Sequence, residues 1–312
     1  MREIYYQLKD YYLRQVRMAY VISLWIFLAV AIYFNYQYDF ENSILRTQNR
    51  AGIYPLLVFA YYSIPYVYAF ITYAWFYNAW YIFKLRKFWM PVLVGLAALT
   101  LNESFYWHLQ WIETHINGSA DMNFTYACVQ NFASFFLYLL PPLAHWLYFD
   151  RKKMPLYGFA SKRFKAKPYL LMLCCMFPLL LAASFTNDFK ETYPLFNDWG
   201  FSLVNQLPNW ISVVIFEFCY GLNFVMIEFL FRGFMVLAFI EILGMDSILP
   251  MATVYCVYHF GKPMGEAISA FFGATILGVV AYNSRSIYGG ILIHIGIAFL
   301  MELLAFLQKC NF

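Results

Sequence analysis

Long apolar runs separated by short polar breaks make up most of the chain. The runs fall at about residues 18–36, 53–83, 88–111, 126–149, 168–185, 210–243, 248–260, 265–283 and 287–308. Most approach the ~20 residues that a helix needs to cross ~30 Å of hydrocarbon. The pattern predicts an all-α fold, a polytopic transmembrane helix bundle of about eight or nine spans. The count turns on the segments after residue 243, which are short and broken by Gly and Pro. Pro55 and Pro65 predict a kink or tilt in the second run. Residues 1–17 carry Arg2, Lys9, Arg14 and Arg17 among tyrosines and read as an amphipathic surface segment. Residues 18–209 read as N-terminal membrane helices and loops. Residues 210–308 read as a core of different character, because charged side chains interrupt apolar helices there.

Composition strengthens this reading. The 312 residues are 63% hydrophobic and 12% charged, with a mean hydropathy of +0.57. A soluble domain has about 25% charged residues, so lipid is the expected solvent and nucleic acid is not an expected partner. The first apolar run follows a mixed-charge start without a small-residue cleavage site, so no cleavable signal is expected.

Charge sets the expected orientation. With alternating spans, the N-terminal segment, the 84–87 turn and the 150–167 loop share one side, with 4, 3 and 7 Lys/Arg respectively. The loops between them hold Arg46 and Arg50, then none, then Lys190. This asymmetry predicts a multi-pass protein of the cell membrane with its N-terminus in the cytoplasm. Cys128, Cys174, Cys175, Cys219, Cys256 and Cys310 form no C-x-x-C pair and are expected to be buried small side chains.

The polar groups of the last third carry the candidate chemistry. Glu228 and Arg232 lie in the apolar stretch M-I-E-F-L-F-R-G-F. Near the bilayer centre each costs about 2.5–3.5 kcal/mol on insertion scales, so their retention points to helix packing or to chemistry. On an α-helix, residues four apart share a face and can pair. His259 and His294 are the other polar groups in apolar surroundings. One carboxylate and two imidazoles on separate helical segments suit water-driven amide hydrolysis, with a carboxylate as base and an imidazole orienting water or holding an oxyanion. The same set suits a site with two His and one carboxylate on a divalent metal; no cofactor is required, and H-E-x-x-H is absent. The stretch after His259, G-K-P-M-G-E, breaks helical regularity and places Lys262 and Glu266 at a cavity rim.

These residues carry a resemblance. Glu228-Phe-Leu-Phe-Arg232-Gly resembles the E-x-x-x-R-G motif of the CAAX prenyl protease and bacteriocin-processing intramembrane peptidases. Tyr255-Cys-Val-Tyr-His259 and Gly290-Ile-Leu-Ile-His294 resemble that family's second and third motifs, in the same order. The likeness covers about residues 210–302. It implies an intramembrane endopeptidase acting on a membrane-associated peptide or protein in the lipid bilayer. Glu228, His259 and His294 are then catalytic, with Arg232, Glu266 and Lys262 supporting. Glu228 or Glu266 would activate water, His259 would position it, and His294 would stabilise the oxyanion.

Two positions depart from the family pattern. Ile227 stands where a first glutamate is usual, and Ala298 where an amide or imidazole is usual. They support an alternative: a catalytically silent protein of the same fold that binds peptides or membrane proteins in an immunity or scaffold role.

Overall fold

The computed structural model describes residues 2–45, 52–116, 119–159, 164–195 and 209–310. Arg46, Arg50, Lys162 and Arg163, counted above among the loop charges, lie outside them. Helices dominate, and no strand occurs among the described residues. Among the described residues, eight helical stretches are long and apolar enough to cross a membrane: Met18–Tyr38, Tyr54–Tyr77, Arg86–His115, Asp121–Asp150, Ala166–Ala183, Trp210–Leu237, Met264–Ser284 and Tyr288–Lys309. The expected all-α, multi-pass architecture is borne out.

The segment that made the count uncertain is the helix Ile248–Tyr258. Its 11 residues extend only about 16 Å at ~1.5 Å per residue, too short to span. Residues 248–257 are all buried, as expected of a helix that is apolar all round and enclosed by protein.

Other boundaries move for local reasons. The second run stops as an α-helix at Tyr77, where Asn78 takes a left-handed φ of 52°. The third divides at residues 105–106 into Arg86–Ser104 and Trp107–His115. The long run at 210–243 is α-helical only to Glu228, π-helical over Phe229–Phe234, and helical again over Met235–Leu237. The loop at 186–209 contains a short helix, Asn187–Thr192, begun where the Thr186 hydroxyl accepts the Phe189 N–H. Of the cysteines expected to be buried, Cys256 is buried, Cys128 and Cys219 are half-buried, and Cys174 and Cys175 are exposed on Ala166–Ala183; the Cys310 side chain lies outside what the structure describes. Residues 170–183 of that helix are almost uniformly apolar, so it needs no polar outer face if lipid is its solvent.

The chain forms two compact units. The first comprises Met1–Ser104, Tyr138–Phe164 and Phe229–Gly290. Within it, Ile248–Tyr258 packs against Met264–Ser284 and Tyr54–Tyr77, and Tyr54–Tyr77 packs against Arg86–Ser104. Gly278 permits the first of these contacts: a Cβ there would lie 2.9 Å from Ile248 Cγ2 and 3.1 Å from Met251 Cε. Phe70, Phe88 and Phe239 fill the core with ring centroids 4.9–6.1 Å apart.

Side chains of the first two long helices satisfy carbonyls at the end of Ile248–Tyr258 and in the irregular backbone after it. Asn35 Nδ2 donates to the Phe260 carbonyl at 3.0 Å, and Tyr36 OH to the Lys262 carbonyl at 2.6 Å. Tyr61 OH lies 3.1 Å from Glu41 Oε2 and 3.4 Å from the Val257 carbonyl. Unpaired carbonyls away from water are costly, and these contacts show where several of them go.

The second unit comprises Phe105–Leu137, Lys165–Glu228 and Ile291–Phe312. Two apolar clusters hold it. One gathers Phe124, Ala127, Phe216, Tyr220 and Ala298, the other Leu180, Phe189, Tyr193, Met301, Leu304 and Ala305. Polar contacts add to them: Glu302 Oε1 accepts the Leu195 N–H at 3.0 Å, and Asn223 Nδ2 donates to Asn131 Oδ1 at 2.9 Å.

Candidate active site

In the second unit the helices Asn209–Glu228 and Tyr288–Cys310 approach closely at Gly221, where a Cβ would lie 3.3 Å from Phe299 Cζ. Further along the pair, Glu228 Oε1 meets His294 Nδ1 at 2.9 Å. Glu228 is fully buried, and the His294 side chain is 15% exposed. Phe224, one turn before Glu228, places its ring 4.4 Å from the imidazole. An ionised carboxylate only accepts hydrogen bonds. Beside it, Nδ1 carries the proton and Nε2 keeps the lone pair, which is the orientation a hydrogen-bonding carboxylate imposes on imidazole in many hydrolytic sites.

In the first unit, Arg232 and His259 share one aromatic ring. Arg232 is 2% exposed, with its guanidinium carbon 4.0 Å from the Tyr255 ring centroid. His259 lies 4.5 Å from the same ring on the other contact, and Phe231 meets it edge-on at 4.7 Å. His259 Nδ1 lies 2.9 Å from the Tyr255 carbonyl. A carbonyl cannot donate, so Nδ1 is the donor here and Nε2 is the acceptor in the neutral ring. The aromatic-x-x-x-His spacing thus has a physical reading: one helical turn lets Tyr255 supply both a ring for Arg232 and a carbonyl for His259.

The neighbouring Tyr258 carries a second chain of contacts. Its hydroxyl lies 2.9 Å from Tyr138 OH, which accepts Asn102 Nδ2 at 2.8 Å. Asn102 and Tyr138 are buried. Nothing in the sequence pattern joins Asn102 to residues 138 and 258.

Lys262 and Glu266 lie in and just after the turn between Ile248–Tyr258 and Met264–Ser284, both half-buried. Lys262 N–H donates to the His259 carbonyl at 3.0 Å, and Glu266 N–H to the Pro263 carbonyl at 2.9 Å. Glu266 therefore occupies the first helical turn. The glycine of the first motif also has a structural reading. A Cβ at Gly233 would lie 2.6 Å from the Tyr157 carbonyl oxygen, so only glycine lets the π-helical turn approach that backbone.

The two departures from the family pattern are both dry. Ile227 is 4% exposed, and Ala298 is 6% exposed within the cluster of Phe216 and Tyr220. Among the described residues, no three His, Cys, Asp or Glu side chains gather to hold a metal ion.

Residues 204–300 match the family model of the type II CAAX prenyl endopeptidase Rce1-like proteins. The match falls on the stretch carrying Glu228, His259 and His294 and bears out the resemblance read from the motifs. At the level of the family, it supports a CAAX-type intramembrane protease, with a membrane-associated peptide as the class of substrate. No curated protein and no solved structure matches the chain.

Proposed function

We propose that this protein is an intramembrane endopeptidase of the CAAX prenyl endopeptidase type, and that Glu228 and His294 form its water-activating pair. The observation carrying this is the 2.9 Å contact between a fully buried carboxylate and an imidazole on another helix. Glu228 fixes the ring with Nε2 as acceptor. Nε2 then takes a proton from water as the water oxygen bonds to the substrate's amide carbonyl carbon. Glu228 stabilises the imidazolium. When the C–N bond breaks, the same proton passes to the leaving amine nitrogen. This reassigns His294, read from the resemblance as an oxyanion holder, and makes Glu228 act through it.

His259 enters the proposal as a group that orients water through Nε2, because its Nδ1 donates to the Tyr255 carbonyl. Arg232 holds Tyr255, Lys262 fixes the turn after His259 through its amide, and Glu266 is kept as a second carboxylate candidate. The reaction as written needs no metal. We place the protein in the cell membrane with its N-terminus in the cytoplasm. The charge bias supports this. So does the first unit, where Arg86, Lys87 and Lys153 line one cavity, as expected if the two basic loops share a side.

The burial of Ala298 favours the second reading, a silent peptide-binding protein. At the position where the family places an amide or imidazole, this chain has an alanine packed in an apolar cluster. The deciding experiment uses purified protein in lipid vesicles with membrane-anchored fluorogenic peptides, prenylated and unprenylated. Cleavage by wild type that disappears in folded Glu228→Gln and His294→Ala variants supports hydrolysis. Capture of peptide without turnover by wild type supports the silent reading.

A further inference from the structure

The cavity lined by Arg86, Lys87 and Lys153 in the first unit has a volume of about 390 Å³, and none of the candidate catalytic residues lines it. Three segments line it: the start of Arg86–Ser104, residues 145–154, and residues 238–242. Its walls are mixed. Trp89, Met90, Phe149 and Ile242 supply apolar surface, and Arg86, Lys87 and Lys153 supply positive charge.

The acidic groups of this cavity are already engaged. Asp150 accepts from Lys153 Nζ at 3.1 Å and from Tyr157 OH at 2.7 Å, and its Oδ2 lies 3.4 Å from His145 Nδ1. Glu241 lies 3.4 Å from Lys153 Nζ. Lys153 is thus spent on two carboxylates. Arg86 and Lys87 are exposed and make no ion pair among the described residues. Two uncommitted cations therefore stand at the rim of a largely apolar hollow, at the end of a membrane-length helix.

We propose that this cavity binds the headgroup of an acidic phospholipid, with Arg86 and Lys87 on the phosphate and with Trp89, Met90 and Phe149 against the glycerol and upper acyl chain. Charge complementarity selects the anionic headgroup. The apolar walls select a lipid over a free ion, which would leave them wet. Basic pockets beside membrane helices on the side rich in Lys and Arg recognise acidic lipids by this chemistry. The proposal does not depend on the protease reading, so either can fail alone.

The test is thermal unfolding of the full chain in detergent micelles, supplemented with phosphatidylglycerol or phosphatidylcholine at equal mole fraction, with bound lipid counted by native mass spectrometry. Phosphatidylglycerol is expected to bind in preference and to raise the unfolding temperature more. In Arg86→Gln/Lys87→Gln the preference is expected to fall by about fivefold per cation removed. Arg2→Gln/Lys9→Gln, on the N-terminal helix, is expected to keep it. Met90→Trp, which fills the hollow with both charges in place, is expected to lose phosphatidylglycerol as well, and serves if the double variant does not fold. Equal binding of the two lipids overturns the proposal. So does a preference that survives both Arg86→Gln/Lys87→Gln and Met90→Trp, and so does inorganic phosphate alone reproducing the full shift.

Discussion

Glu228 and His294, 66 residues apart in sequence, meet through a 2.9 Å hydrogen bond inside the second unit. The carboxylate has no exposed surface, so it is held at the imidazole rather than shared with bulk water. Glu228→Gln keeps the shape and a hydrogen-bonding oxygen but removes the charge that stabilises the imidazolium. Cleavage is expected to drop by roughly 10²–10⁴-fold, the range for losing a positioned acid–base group. His294→Ala is expected to fall as far, and the double variant no further than the worse single, since the two act as one unit. Additive losses in the double variant would show two independent roles.

The pairing itself was not legible in the sequence. Spacing points only along the helix, to Arg232, because residues four apart share a face of an α-helix. No local rule points from residue 228 to residue 294. The long apolar runs were legible because hydropathy and length alone mark a membrane helix. The divided third run was not, since residues 105–106 are Phe and Tyr and carry no Gly or Pro signal. The non-spanning character of Ile248–Tyr258 was half-visible. Its length suggested it, but its enclosure depends on neighbours far away in sequence.

Gly233 tests how closely the first motif is packed. A methyl group there would stand 2.6 Å from a backbone oxygen at Tyr157, and backbone yields less readily than the end of a side chain. Gly233→Ala is expected to destabilise the folded protein by about 1–3 kcal/mol, the usual cost of overpacking, read as a lowered unfolding temperature in micelles. Gly265→Ala is the control: a Cβ there meets nothing within 4 Å, so little change is expected. Equal stability of the two variants would remove the packing explanation for the motif glycine.

Tyr255 and Tyr258 separate two kinds of support. Tyr255→Phe keeps the ring over which Arg232 sits at 4.0 Å and is expected to retain more stability than Tyr255→Leu. Tyr255→Leu removes a cation–π contact worth about 2 kcal/mol when desolvated and should destabilise. Tyr258→Phe removes the hydroxyl at Tyr138 and leaves that buried group one partner short, at a cost of about 1–3 kcal/mol. Asn102→Leu in the Tyr258→Phe background is then expected to add less than it does alone, because both belong to one hydrogen-bonded chain. Full additivity in unfolding measurements would show that Asn102 and Tyr258 are not coupled through Tyr138.

Asp246 sets a pH dependence outside the membrane spans. It lies in the turn Gly244–Ser247, where burial raises its carboxyl above the usual value, partly opposed by the Tyr73 hydroxyl at 2.9 Å. The folded state therefore holds this proton more tightly than the unfolded chain does. That preference stabilises the fold fully below the unfolded pKa of about 4 and is lost as pH rises through the higher folded value. Tyr11, Tyr20 and Tyr77 also feel the Asp246 charge, but as phenols they stay neutral in this range. Asp246→Asn mimics the protonated acid and keeps an oxygen for Tyr73. The wild type is expected to lose more stability than the variant between pH 4 and pH 7, with the variant at least as stable at neutral pH. Unfolding curves with the same pH dependence in both proteins would mean that the Asp246 carboxylate is as well solvated in the fold as in the open chain.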